Sequence, residues 1–112
     1  MLPKPKRLNL KKDFKWVAAG KKLETKYLRL FFREGINPFP RIGIAASSKF
    51  FKKAHERNRA RKLTSAAFEA HYSLLPLHLN IVALPKQGIL DVKSGTVFSD
   101  LELSLKDAKI ID

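Results

Sequence analysis

A cationic run between residues 49 and 62 contains the residue types best suited to a chemical role. It reads KFFKKAHERNRARK, and its only acidic residue is Glu56. On a helix, side chains four residues apart lie on the same face, so Arg57 and Arg61 would point the same way. Guanidinium groups bind phosphate oxygens through paired hydrogen bonds, which suits a nucleic-acid backbone. The residues predicted to make these contacts are Arg57, Asn58, Arg59, Arg61, Lys62, Lys52 and Lys53.

Three aromatic residues, Phe14, Tyr27 and Phe31, lie in or beside a second basic block that extends from Lys4 to Lys26. Proteins hold single-stranded nucleic acids by stacking bases on aromatic rings beside a basic groove. The three rings therefore suit a second nucleic-acid site. The alternative is that they belong to the hydrophobic core, as aromatic residues on short helices or strands more often do.

Residue types that would carry catalysis are absent from the sequence or scattered along it. The chain has no cysteine, which excludes thiolate metal sites, disulfides and cysteine nucleophiles. His55, His71 and His78 lack the spacing of metal ligands. An Mg²⁺-dependent nuclease needs several converging carboxylates, and no such group is apparent in the sequence. We therefore predict no catalytic residue, no metal site and no cofactor bound by the protein alone.

The net charge of +13 over 112 residues is large and unevenly distributed. Residues 1–62 hold nineteen Lys or Arg and four Asp or Glu, whereas residues 63–112 hold four and six. A charge run is usually a solvated face, but an excess confined to one half of a small domain favours a polyanionic partner. No apolar run approaches the ~18 residues of a membrane span and no signal peptide is present, so we expect a cytoplasmic protein without a membrane segment.

The first half of the chain should form short elements. Residues 1–10 contain two prolines among lysines and predict an extended, mobile basic arm, which leaves residues 11–112 as a single RNA-binding α/β domain. Lys11–Ala19 has the apolar spacing of a short helix that ends at Gly20.

Three segments have strand patterns. Leu23–Arg33 alternates with a period of two, and Arg41–Ser48 predicts a strand that returns antiparallel to it. The apolar run Leu79–Leu84 predicts a strand buried on both faces in the centre of the sheet. In the first strand, one face would carry Leu28, Leu30 and Phe32, and the other face would carry Tyr27, Arg29 and Phe31.

Two further helices complete the predicted fold. Ala54–Tyr72 predicts a long amphipathic helix, and Ser94–Ala108 predicts a terminal helix over one sheet face, capped by Ser94 or Thr96. The fold class is α+β, a two-layer sandwich in which a small mixed sheet of three to four strands packs with helices in the order αββ(β)αβα. The apolar side of the long helix would carry Ala60, Leu63, Ala66, Ala67, Ala70 and Leu74, with Ser65 on its basic side.

The cationic run resembles the signature of the bacterial ribonuclease P protein component. That signature has Ser-Lys-Lys, a short spacer and then Arg-Asn-x-x-Lys-Arg-x-x-Arg. Arg57 and Asn58 match it outright, and Arg61 and Lys62 exchange its next two cations. The resemblance covers most of residues 7–86, with further similar stretches at Lys12-Asp13-Phe14, Tyr27–Phe32, Arg41–Ile44 and Leu79–Lys86.

The sequence departs from the family pattern at three places. Ser65 stands where the signature has its third arginine, and Ala18 stands where the family has a second aromatic residue in the first helix. The spacer is one residue longer, with Phe50 beside Lys49. These departures predict that RNA affinity is distributed differently in this chain.

The resemblance implies an enzyme in which a catalytic RNA with bound magnesium removes the 5′ leader from precursor tRNA. The protein would be the accessory subunit, without catalytic residues of its own, and would bind both the catalytic RNA and the leader; no obligate protein partner is inferred. The resemblance also implies a left-handed strand–helix–strand crossover, against the right-handed rule that holds in ~98% of parallel connections. The implied leader-binding cleft contains Phe14, Phe31, Tyr27 and Lys49.

Two other classes share some of these features. A ribosomal-type or general RNA-binding module would have the same basic patch without an enzyme partner, and it would bind RNAs of similar length equally with or without a 5′ leader. Peripheral attachment to anionic membranes is disfavoured, because the basic helix carries alanines rather than large insertable side chains opposite its cations.

Overall fold

A four-stranded mixed sheet and three α-helices make up the part of the chain that the computed structural model describes, residues 2–111. The α+β class and the predicted order of elements are confirmed, with four strands. Short 3-10 turns also occur at Lys4–Lys6, Tyr72–Leu74 and Gln87–Asp91. The elements are α1 (Leu10–Ala18), β1 (Lys21–Glu24), β2 (Leu28–Glu34), β3 (Arg41–Ile44), α2 (Ala54–His71), β4 (Leu79–Pro85) and α3 (Ser94–Asp107).

The sheet has the order β1-β2-β4-β3, with β4 antiparallel to β2 and parallel to β3. The prediction that β4 is central and buried on both faces is confirmed. β3 runs antiparallel to β2, as predicted, but the two strands do not pair, because β4 lies between them. β4 is buried on both faces because α2 and α3 cover one face of the sheet and α1 packs on the other. Helix α2 connects the parallel strands β3 and β4, and the left-handed sense of this crossover stays a prediction.

The predicted strand Leu23–Arg33 is a hairpin, in which β1 and β2 are joined by a turn at residues 25–27. Asp100 of α3 holds this turn. Its carboxylate accepts hydrogen bonds from Thr25 Oγ1 at 2.6 Å and from the backbone N–H groups of Lys26 and Tyr27, both at 3.2 Å. A contact between residues more than 70 positions apart leaves no periodic signal in the sequence.

The sheet separates two apolar clusters. The larger cluster lies between one sheet face and helices α2 and α3, and it contains Phe51 and Phe68, both without exposed surface. The smaller cluster lies on the opposite face, where Val17 of α1 packs with Val82 of β4 and Leu8. The coverage of one sheet face by the terminal helix is confirmed, and α1 covers part of the other face.

The buried side of α2 agrees only in part with the predicted side: Ala60 and Ala67 are buried as predicted. Phe68 and Thr64 are buried, while Ala70 and Leu74 are exposed. Thr64 can be buried because its hydroxyl donates to Ala60 O at 2.7 Å, which satisfies its polar group. Ser65 is also buried, at 2% exposure, instead of lying on the basic side.

Residues 2–8 pack against the domain instead of forming the predicted extended arm. Leu2 and Leu8 are only 4% and 7% exposed. The backbone N–H of Leu8 donates to Ile42 O of β3 at 3.1 Å, and the N–H of Leu2 donates to Ser65 Oγ at 3.3 Å. The two leucines give this basic segment an apolar side to bury, so the packed domain begins before residue 10.

The helix ends agree only in part with the sequence pattern. Gly20 follows α1 as predicted, but its φ is not positive; a side chain there would bring Cβ to 2.5 Å from Phe32 O. The predicted cap of α3 is wrong, because Lys93 occupies the N-cap position and its side chain makes no cap hydrogen bond.

Candidate nucleic-acid interface

The start of α2 is fixed by the loop before it. Phe51 is fully buried in the larger cluster, so it anchors the loop to the core. The backbone N–H of Lys53 donates to Glu56 Oε1 at 3.4 Å, which uses the acidic residue of the run to cap the helix. Lys52 and Lys53 are exposed at this end.

Arg57 is half-buried and holds the same loop. Its Nη1 donates to the carbonyl oxygens of Phe51 at 2.7 Å and Lys52 at 3.2 Å. Hydrogen bonds from a charged group to buried or half-buried carbonyls are among the stronger ones in proteins. Arg57 therefore positions the start of the cationic run in addition to its predicted contact with phosphate.

The remaining cations of α2 border two different surfaces. We call the first the Arg61 flank: Arg61 and Ser65 line a depression of about 160 Å³ together with Arg7 of the N-terminal segment. We call the second the Arg59 flank: Asn58, Arg59, Lys62 and His55 line a more open surface of about 460 Å³. The side chain of Asn58 joins the two, because its Oδ1 accepts a hydrogen bond from Arg61 Nη1 at 3.3 Å.

The cations of α2 have no acidic partner within the described residues. The ion pairs found in residues 2–111 involve Glu24 and Glu102, and none of them includes a Lys or Arg of α2. The helix therefore presents positive charge that is not neutralised by the protein's own described carboxylates, which is what contact with a polyanion requires.

A separate groove of about 300 Å³ lies on the sheet face that carries α1, and we call it the sheet groove. Arg29 of β2 lies opposite Leu84 of β4 in the register, and the same face continues with Phe31 opposite Val82. The residues that line the sheet groove are Arg29, Ala45, Ser47, Phe50, Leu84, Pro85, Lys86 and Gln87.

The predicted cleft residues Phe14, Phe31 and Lys49 lie next to the sheet groove. Phe14 and Phe31 are half-buried in the smaller apolar cluster, which shares Leu84 with the groove. Lys49 is exposed, with its Nζ 6.0 Å from the centre of the Phe50 ring. None of the three residues lines either flank of α2, although the smaller cluster also shares Leu8 and Leu10 with the depression of the Arg61 flank.

Tyr27 does not lie with them. It is 9% exposed and belongs to the larger apolar cluster on the other side of the sheet. The turn held by Asp100 places it before β2, so the strand alternation that grouped it with Phe31 does not apply. Tyr27 therefore belongs to the hydrophobic core, which is the alternative that the sequence left open.

Sequence reasoning missed Phe50 and Gln87 as groove residues. Phe50 is 52% exposed, and its carbonyl accepts a hydrogen bond from Gln87 Nε2 at 3.1 Å. The extra residue in the spacer beside Lys49 was a signal for Phe50. Gln87 gave no signal, because only the fold brings it, just after β4, within hydrogen-bonding distance of Phe50.

Groove cations differ from those of α2 in having an acidic partner. Glu24 Oε1 accepts a hydrogen bond from Arg29 Nε at 2.8 Å, and its carboxylate lies 3.7 Å from Lys22 and from Lys86. The hydrogen bond from Arg29, with the positive charge of Lys86, holds the pKa of Glu24 below its ordinary value of 4.5. A carboxylate that is ionised at neutral pH thus lies beside the groove and pairs with two of its cations.

Within residues 2–111, no three His, Cys, Asp or Glu side chains are placed to hold a metal ion together. Over the same residues, no helix has the length and apolar character needed to cross a bilayer.

Comparisons with known proteins identify the family. The model of the Ribonuclease P family matches residues 2–109. The ribonuclease P protein component of Sodalis glossinidius is 38% identical over 63 residues, 56% of this chain and 52% of that protein. That of Yersinia pestis (strain Pestoides F) is 40% identical over the same length. The chain thus spans about half the length of the curated relatives it matches.

Solved structures agree with this assignment. The RNase P protein of Thermotoga maritima in complex with 1-(4-fluorophenyl)-2-thiourea is 29% identical, with a TM-score of 0.77, and the match covers 88% of this chain and 96% of that one. The RNase P protein of Staphylococcus aureus shares the fold at 23% identity and a TM-score of 0.80, over 96% and 98% of the two chains. The resemblance seen in the sequence is confirmed, and the chain belongs to the ribonuclease P protein family.

Proposed function

We propose that this chain is the protein subunit of ribonuclease P and assists the removal of the 5′ leader from precursor tRNA in the cytoplasm. Family membership supports this role. The observation that carries it is the separation of two surfaces, the unpaired cations of α2 and the sheet groove. A subunit that contacts both a catalytic RNA and a substrate needs two such surfaces.

The Arg59 flank is the surface for the catalytic RNA. Arg59 and Lys62 are exposed and have no ion pair within residues 2–111. Contacts of this kind release counterions from the RNA and add affinity without reading the sequence. The open shape of the flank suits the backbone of a folded RNA rather than a small ligand.

The sheet groove is the surface for the leader. Phe50 offers an exposed ring on which a base can stack, and Arg29, Lys86 and Lys49 supply cations beside it. This combination of one aromatic platform and a basic lining is how proteins bind single strands with little sequence preference. The half-buried rings of Phe14 and Phe31 form the floor of the adjoining surface.

The proposal assigns the cleavage chemistry to the RNA subunit. In this proposal magnesium belongs to the RNA, and no catalytic step is assigned to a side chain of this protein. The protein contributes binding and orientation of the leader relative to the RNA.

Reconstitution tests the proposal. Adding the full chain to its cognate catalytic RNA should raise the rate of precursor-tRNA cleavage at low magnesium, and no change in rate would refute the role. The Arg59→Ala/Lys62→Ala double variant should bind the RNA more weakly. The magnitude of the slope of log affinity against log salt concentration should fall by roughly 1.4 to 1.8, because two phosphate contacts are lost. Lys93→Ala, which removes an exposed cation at the start of α3, is the matched control and should keep the slope.

The same assay separates the alternative, a general RNA-binding module. Such a module would bind precursor tRNA and leaderless tRNA equally. A preference for the RNA with a leader, lost when groove residues are changed, would support the subunit role.

A further inference from the structure

We infer that Arg7 of the N-terminal segment and Arg61 of α2 together form a binding site for one phosphate of the RNA backbone. This inference rests on the proposed function and adds to it a residue from outside α2. It concerns the depression of about 160 Å³ on the Arg61 flank, which both arginines line.

Arg7 is held in place by the fold and still has donors to offer. Its backbone forms an isolated parallel bridge with Ile42, next to the hydrogen bond between Leu8 N–H and Ile42 O. Its side chain is exposed, and its Nε donates to Leu2 O at 2.7 Å. A guanidinium has five N–H donors. Within residues 2–111 the terminal amino groups of Arg7 make no hydrogen bond or ion pair, so four donors remain for a ligand.

The position of Arg7 depends on Ser65. Leu2 is 4% exposed, and its N–H donates to Ser65 Oγ at 3.3 Å. Because Leu2 O in turn receives Arg7 Nε, a chain of two hydrogen bonds connects Ser65 to the Arg7 guanidinium. An arginine at position 65, which is only 2% exposed, would need the space that this segment fills.

The surroundings of the depression favour an anion. Its lining includes two arginines and no acidic residue, and the rest of the wall is mostly apolar, from Leu8, Leu10 and Ile42 among others. Apolar walls lower the local dielectric constant and strengthen the attraction between a guanidinium and a phosphate. Two guanidinium groups on one small depression can donate to several oxygens of the same phosphate.

The salt dependence of binding to the cognate catalytic RNA tests the site. Arg7→Ala should weaken binding roughly three- to tenfold at 0.1 M monovalent salt and lower the log–log slope by about 0.7 to 0.9. Arg7→Gln should weaken binding and reduce the slope by the same amounts, although it keeps a donor for Leu2 O. Arg7→Lys keeps the positive charge and should keep most of the wild-type slope. Lys93→Ala controls for the loss of one positive charge at a distance. Thermal unfolding of each variant shows whether the fold is intact.

Ser65→Ala tests the positioning. It should weaken binding less than Arg7→Ala, and the double variant should bind no more weakly than Arg7→Ala alone, because both changes remove one contact. Additive losses would overturn the connection through Leu2. If Arg59→Ala/Lys62→Ala weakens binding while Arg7→Ala and Arg7→Gln behave as Lys93→Ala does, the phosphate site is refuted and the proposed function stands. If the wild-type chain shows no salt-dependent binding, the proposed function itself fails.

Discussion

The two candidate RNA surfaces are built in opposite ways. The cations of α2 come from one continuous helix and have no acidic partner within residues 2–111. The sheet groove draws on β2, β4 and the loops after β3 and β4, and two of its cations share Glu24. RNA bound at α2 would therefore break no ion pair of the described protein, whereas RNA bound in the groove would exchange a carboxylate for a phosphate. The first surface should supply affinity, and the second should depend more on base stacking.

The largest effect on stability and RNA binding is expected for a substitution of Arg57. This residue belongs to α2 and also holds the loop that leads towards the groove. Arg57→Ala removes two hydrogen bonds from a charged donor and should lower the free energy of unfolding by about 1 to 3 kcal/mol. It should also reduce the salt slope of RNA binding by about 0.7 to 0.9, as for one phosphate. Urea unfolding and binding titrations measure the two effects separately.

Arg59→Ala is the matched control for this prediction. It removes the same charge from the neighbouring exposed position, so it should change the slope without changing the stability. Equal stability of the two variants would show that the Arg57 hydrogen bonds to the loop contribute nothing measurable.

The difference between a surface built from one helix and a surface built from several segments also explains what could be predicted from the sequence. The helix of the cationic run and the central strand β4 follow from periodicity within one continuous segment, so their existence was predictable. The positions of Tyr27, Ser65 and Phe50 depend on partners far along the chain, namely Asp100, Leu2 and Gln87. Local periodicity gives the face of an element, but it does not show which distant segment will cover that face.

A substitution of Phe50 tests the role of base stacking in the sheet groove. Phe50→Ala should cost about 1 to 3 kcal/mol of affinity for an RNA with a 5′ leader, since a stacked base contributes roughly that much. Binding of leaderless tRNA and the salt slope should stay unchanged. The measurement is the ratio of affinities for the two RNAs.

Leu103→Ala is the control, because it truncates another exposed apolar side chain, on α3. An equal loss for both RNAs in Phe50→Ala would mean that the ring does not act on the leader. Stability should change little in either variant, since both side chains are more than half exposed.

The smallest effect is expected for a substitution of Glu24. This substitution tests most directly whether an RNA phosphate replaces the Glu24 carboxylate as the partner of the groove cations. Its folded-state pKa lies below the ordinary 4.5, because Arg29 donates a hydrogen bond to it and Lys86 lies near. The resulting stabilisation is present above the ordinary pKa and is lost as the pH falls through the folded pKa. Glu24→Gln should therefore unfold at a slightly lower temperature than wild type at pH 7, and the difference should shrink as the pH falls below 4.5 and vanish once the Glu24 carboxyl is protonated in the folded protein.

Glu24→Gln should strengthen RNA binding, although it lowers the stability of the protein. At pH 7 Glu24→Gln frees Arg29 and Lys86, so affinity for an RNA with a leader should rise and its salt slope should steepen. Glu102→Gln removes a comparable exposed ion pair, with Lys106 on α3, and should lower stability without changing leader affinity. If Glu24→Gln leaves leader affinity unchanged as well, the groove cations do not meet phosphate, and the groove would hold a strand by stacking alone.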